Sequence, residues 1–90
     1  VEISFDPAKR EATLRDRGLD FLDAARVFEG PVFTAEDDRF EYSERRYSTI
    51  GSLDGRMVVL IWTEAPGGRR IISMRKANDR EQARFGSKLA

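Results

Sequence analysis

The sequence predicts an α+β domain. A small antiparallel sheet carries two N-terminal helices on one face and a short C-terminal helix, in the order β-α-α-β-β-β-β-α. Three observations carry this. Asp6-Pro7 and Asp20 each open a helix-forming segment. Residues 44–76 hold three strand-like runs separated by an Asp-Gly and a Pro-Gly-Gly turn. The middle run, Met57 to Trp62, is apolar on both faces, as a central strand is. With 90 residues, 40% of them hydrophobic, the chain has material for one core and no second.

Taken in order, Ile3-Ser4-Phe5 alternates and is short, which suits an edge strand. Asp6 is an N-cap and Pro7 the first helical residue of a helix to Arg17; Gly18 ends it. Only Ala8, Ala12 and Leu14 are apolar there, so this helix packs lightly. Asp20 caps a second helix, with Asp23 in the capping-box position. Phe21, Ala24, Ala25 and Phe28 make its core stripe, and Gly30-Pro31 stops it. Val32 to Thr34 is a strand, and the acidic stretch 35–43 a loop. A meander follows: Glu44 to Gly51, a turn at Ser52 to Gly55, Arg56 to Glu64, a turn at Ala65 to Gly68, and Arg69 to Lys76. Asn78 to Glu81 is a capping box for a helix through Phe85. Gly86 to Ala90 reads as a cloning-vector scar and is set aside, leaving one domain over 1–85.

Composition excludes several chemistries. Without cysteine there is no disulfide framework, thiol nucleophile or thiolate zinc site. Without histidine there is no serine–histidine catalysis. No apolar run reaches the roughly 18 residues of a spanning helix, and no signal peptide is visible, so a soluble, cytoplasmic domain with no membrane partner is expected.

The formal charge is zero, with 16 basic and 16 acidic residues. The balance is uneven along the chain. Residues 1–55 hold 8 Lys/Arg against 13 Asp/Glu, whereas residues 56–85 hold 7 against 3. A basic C-terminal third suits a polyanion or an acidic protein. It equally suits a solvated face that pairs with the acidic half of its own chain, and a pI near 6.5 is not the usual nucleic-acid footprint.

Strand alternation groups the polar residues. Arg70, Ile72, Met74 and Lys76 share one face of the last strand, and Arg69, Ile71, Ser73 and Arg75 the other. Glu64 and Arg70 flank the Pro-Gly-Gly turn and are expected close together, with Arg45 and Arg46 entering the same rim. One carboxylate among arginines supports RNA cleavage by the 2′-hydroxyl. Glu64 takes the proton, arginines hold the phosphate, and Lys76, Lys9 or Tyr47 protonates the leaving 5′-oxygen. The plainer reading is a surface ion pair between Glu64 and Arg70, worth roughly 0–1 kcal/mol.

Several segments then occur together in order: Phe5-Asp6-Pro7-Ala8-Lys9; Arg17-Gly18-Leu19-Asp20-Phe21 with Ala24-Ala25-Arg26-Val27-Phe28; Glu44-Arg45-Arg46-Tyr47-Ser48-Thr49-Ile50-Gly51; Trp62-Thr63-Glu64; and Arg70-Ile71-Ile72-Ser73-Met74-Arg75-Lys76-Ala77. This set resembles the BrnT family of bacterial type II toxins, from residue 2 to about residue 85. The resemblance implies a RelE-like fold and a metal-independent, cofactor-free endoribonuclease that arrests growth. It also implies a ribbon-helix-helix, BrnA-like antitoxin in a heteromeric complex, with operator DNA reached only through that antitoxin. By motif, the family's functional positions fall on Lys9, Glu64, Arg70 and Arg75 as catalytic residues. Arg45, Arg46, Lys76 and Arg69 are the expected RNA contacts. One departure stands out: the family's first helix usually ends in Lys-His-Gly, and here it ends in Asp16-Arg17-Gly18. That departure supports the alternative expectation, an inactive RelE-like module that binds an antitoxin as operon corepressor.

Overall fold

The computed structural model describes residues 2–39 and 41–89. The chain forms β1 (Glu2–Phe5), α1 (Pro7–Arg17), a 3-10 turn (Phe21–Asp23), α2 (Ala24–Glu29), β2 (Phe33–Glu36), β3 (Arg46–Leu53), β4 (Arg56–Ala65), β5 (Gly68–Lys76) and α3 (Asp79–Leu89). The class is α+β, as the sequence indicates, with β4 at the centre of a five-stranded sheet ordered β1-β5-β4-β3-β2. The sheet is mixed rather than antiparallel throughout. β1 runs parallel to β5 at one edge.

Local chemistry fixes the ends of the elements. Asp6 accepts from the Ala8 N–H at 2.9 Å, Pro7 opens α1, and Gly18 closes it at φ 68°. The Leu53–Arg56 pair closes over Asp54 (φ 51°) and Gly55 (φ 78°), a two-residue primed turn. Ala65 pairs with Gly68 over Pro66-Gly67.

The second N-terminal helix differs from expectation. Its first turn is 3-10, with three residues per turn, so the buried stripe runs Phe21, Ala24, Val27 at intervals of three. Ala25 and Phe28 are displaced to half-buried positions. Asp20 caps Leu22 and is held bidentately by Arg10 at 2.7 and 3.0 Å, while Asp23 turns to Arg26 instead of completing a capping box.

The central strand divides two cores. Val58, Leu60 and Trp62 face α2 and pack with Leu19, Phe21, Val27, Ile71 and Met74. Val59 faces the other way, with Ile50, Ala77 and Leu89 under α3, and Met57, Ile61 and Phe85 pack against them. Gly51 lets α2 approach β3, since a Cβ there would lie 2.7 Å from Val27 Cγ1. β2 reaches Glu36, past the expected end at Thr34, and α3 continues beyond Phe85, with Leu89 only 7% exposed. Among the described residues, no helix is long and apolar enough to cross a membrane.

Candidate active site

The β4–β5 register decides which polar groups meet. Glu64 stands opposite Arg69, and Thr63 opposite Arg70. Consecutive strand residues point to opposite faces, so Glu64 and Arg70 lie on different sides of the sheet. The expected Glu64–Arg70 pairing is therefore corrected. Its cause is the turn, whose two central residues Pro66-Gly67 set the partner of residue 64 at residue 69.

A second irregularity lies further along β5. Leu60 pairs with Met74 and Ile61 with Ser73, but Trp62 pairs with Ile71, leaving Ile72 as an extra residue. This bulge puts Ile71 and Met74 in the same core, against the expected alternation. It also brings Arg70, opposite Thr63, and Arg75, opposite Val59, to one face.

That face holds a cleft of about 200 Å³ lined by Asp6, Lys9, Glu44, Arg46, Thr63, Arg70, Ile71 and Ile72. Lys9 comes from the first turn of α1, Arg46 from the start of β3 and Arg70 from β5. The Arg46 Nε donates to Glu44 Oε1 at 3.2 Å, and its guanidinium lies 4.1 Å from the Tyr42 ring centroid. Ser43 first, then Arg46, holds the Glu44 carboxyl below its ordinary pKa. Among the described residues, Lys9 and Arg70 have no carboxylate at ion-pair distance.

The opposite face carries Glu64, Tyr47, Arg45 and Arg69. The Tyr47 hydroxyl donates to Glu64 Oε1 at 3.2 Å, and its ring stacks on Trp62 with centroids 4.6 Å apart. The Arg69 guanidinium lies over Phe28 at 4.1 Å and Trp62 at 4.7 Å, against ring faces rather than against Glu64. Arg45 sits 3.7 Å from Glu36, and Tyr47 and Glu36 raise its pKa. The Trp62 ring is itself pinned, its Nε1 donating to buried Thr49 at 2.8 Å.

Two expected residues stand apart from both groups. Arg75 is bound bidentately by Glu81 at 2.8 and 2.9 Å. Glu81 also accepts from the Asn78 N–H and donates its own N–H to Asn78 Oδ1, the capping box of α3. Lys76 pairs with Val58 at the far end of β5, roughly 20 Å along the strand from Arg70 at about 3.3 Å per residue.

The structure also brings forward residues that pattern reading left out. Arg17 donates to the Met74 carbonyl at 3.0 Å, satisfying the β5 edge beyond the end of β1. Asp37, only 6% exposed, accepts from Arg39 and Tyr42, and its N–H bonds the Arg46 carbonyl at 2.8 Å. The signal for Asp37 was present as an acid two residues before an arginine in an otherwise unpatterned loop. Among the described residues, no group of three potential ligands is placed to hold a metal ion.

No curated relative matches the chain. A family model described as ribonuclease toxin, BrnT, of type II toxin–antitoxin system matches residues 5–81. That span contains every residue of the cation-lined cleft, and on it the chain belongs to the BrnT family of ribonuclease toxins.

Proposed function

We propose that this chain is the toxin of a type II toxin–antitoxin pair and an endoribonuclease that works without a metal ion. The observation that supports this reading is the convergence of Lys9, Arg46 and Arg70 on one open cleft, two of them without an acidic partner among the described residues. Guanidinium groups grip phosphate oxygens through paired N–H donors and stabilise the charge that builds up when a 2′-oxygen attacks phosphorus. Glu44, the glutamate that lines the cleft, accepts the 2′-proton. It is a weak base, so the rate rests chiefly on charge stabilisation. Lys9 donates a proton to the 5′-oxygen as its bond to phosphorus breaks, giving a 2′,3′-cyclic phosphate and a 5′-hydroxyl. Glu64, Tyr47, Arg45 and Arg69 contact the RNA where it passes over the strand ends. The fold is RelE-like in this reading, and the site of action is the cytoplasm. A ribbon-helix-helix, BrnA-like antitoxin holds the toxin in a heteromeric complex.

The experiment is cleavage of end-labelled RNA by antitoxin-free protein in chelator. Arg70→Ala and Lys9→Ala lower the rate at least about 100-fold, Glu44→Gln by a similar order, and Glu64→Gln by less than about tenfold. Full activity in folded Arg70→Ala and Lys9→Ala proteins, or a requirement for divalent ions, overturns the proposal.

A second reading, an inactive module that binds an antitoxin as corepressor, is favoured by one observation. Arg17 stands where the family's helix usually ends in histidine, and its guanidinium is engaged by the Met74 carbonyl. Under this reading, expression without antitoxin leaves growth unaffected while operator binding with the antitoxin persists.

A further inference from the structure

The face that holds the cleft continues beyond it. Ser48, Ile61 and Ser73 share the face with Arg46, Thr63 and Arg70, and all three are half-buried, Ile61 against the core under α3. This strip ends at α3. That helix crosses the sheet with its two flanks unlike each other. Gln82, Gly86 and Leu89 line a groove with Ser52, Gly55 and Met57, so this flank faces the Asp54-Gly55 hairpin. At 100° per residue, Arg80 and Arg84 fall on the opposite flank, away from the hairpin. Both are exposed, and neither is within ion-pair distance of a carboxylate among the described residues. Arg84 lies 5.1 Å over the Phe85 ring, and Phe85 is held against Phe33, so its guanidinium has a fixed platform.

Acids bordering the strip are already engaged. Glu81 is taken by Arg75, Asp37 by Arg39 and Glu44 by Arg46, while Asp6 caps α1. The surplus positive charge therefore includes Lys9 and Arg70 at one end and Arg80 and Arg84 at the other. Arg75 lies between the two groups on the same face, brought there by the Ile72 bulge.

We propose that single-stranded RNA runs from the cleft across this strip and docks its phosphate backbone on the flank of α3 through Arg80 and Arg84. The inference rests on the cleft being the phosphate site. It adds a second anchoring point several nucleotides away from the bond that is cut. Arg80 and Arg84 are one helical turn apart, about 6 Å, so they reach neighbouring phosphates rather than one. Continuity with the cleft favours a nucleic-acid strand over an acidic peptide as the occupant.

The test uses antitoxin-free protein and fully 2′-O-methylated oligoribonucleotides about 3 and about 12 nucleotides long, with binding read by fluorescence anisotropy over a salt series. The expected result is that the double variant Arg80→Ala/Arg84→Ala binds the longer strand about tenfold more weakly and the shorter one unchanged. Its salt slope for the longer strand falls by roughly 1.4, at about 0.7 for each phosphate no longer neutralised. Arg15→Ala, a surface charge change on α1, leaves both affinities as they are. Equal binding of the longer strand by the wild type and the double variant overturns the second anchor. So does a double variant that loses affinity only for the antitoxin. Arg70→Ala separates this outcome from failure of the cleft itself. If it leaves binding of the shorter strand intact, the cleft reading fails, whereas a silent double variant with a sensitive Arg70→Ala removes only the α3 anchor.

Discussion

Glu64 faces Arg69 across the β4–β5 ladder, while Arg70, one residue further on, projects from the other side of the sheet. The two neighbouring arginines therefore do different work. Arg69 is held on Phe28 and Trp62, and Arg70 is open to the cleft beside Lys9 and Arg46.

Exchanging each arginine for alanine separates the roles. Arg69→Ala takes the guanidinium off both ring faces and lowers stability by about 1 kcal/mol in urea unfolding. Arg70→Ala stays within about 0.5 kcal/mol of the wild type, since its side chain is exposed and unpaired among the described residues. The order reverses in RNA cleavage, where Arg70→Ala is the damaging change.

Thr49 is fully buried and serves Trp62 and Thr34, each at 2.8 Å. Thr49→Val leaves the indole N–H without an acceptor and costs about 1–3 kcal/mol by thermal or urea unfolding. Thr34→Val, at an exposed position, costs less than Thr49→Val. Equal effects would mean that the Trp62 bond contributes nothing.

Acid stability follows from the paired carboxylates. Arg75 pulls the Glu81 pKa down, and Arg10 and Arg39 do the same for Asp20 and Asp37. Each group binds a proton less readily folded than unfolded. Its contribution is thus complete above the ordinary carboxylate range and is lost as pH falls through the lower folded value. Tm is expected to hold from about pH 7 to about 5 and to drop below that. Glu81→Gln keeps an acceptor for the Asn78 N–H but removes the charge, so its Tm falls less steeply with acid than the wild type's.

Gly51 gives the fourth expectation. A methyl group there meets Val27 Cγ1 at 2.7 Å and Val32 Cγ1 at 3.0 Å. Gly51→Ala pushes α2 off β3 and destabilises by about 1–3 kcal/mol. Pairing it with Val27→Ala recovers part of that loss in a double-mutant cycle.

Much of this architecture was legible from local chemistry. Asp6-Pro7 and Gly18 bound α1, Asp54-Gly55 makes the hairpin, and the apolar run from Met57 to Trp62 places β4 at the centre. The Glu64–Arg69 pairing was also within reach, because Pro66-Gly67 is a two-residue loop and the partner follows by counting outward. The bulge at Ile72 was not. Strict alternation and one extra residue read alike until Ile71 and Met74 are seen in the same core. The 3-10 turn at Phe21–Asp23 was hidden similarly, since Val27 and Phe28 are both apolar and only packing, with Val27 in the core and Phe28 at the edge of Trp62, chooses between the two stripes. Lys9 joins Arg46 and Arg70 through the edge docking of α1, a contact with no trace in sequence spacing.

The bulge makes β5 lopsided toward changes in length. Ile72 is the surplus residue, so deleting its codon leaves Ile71 and Met74 in their shared seam and Arg70 and Arg75 on a common surface. What disappears is the extra local twist. Adding a residue after Ser73 has the opposite outcome, because the strand already carries one surplus and a second turns half of its side chains over. Soluble yield is therefore expected to survive the deletion and to collapse with the insertion. The strand forgives a loss and punishes a gain.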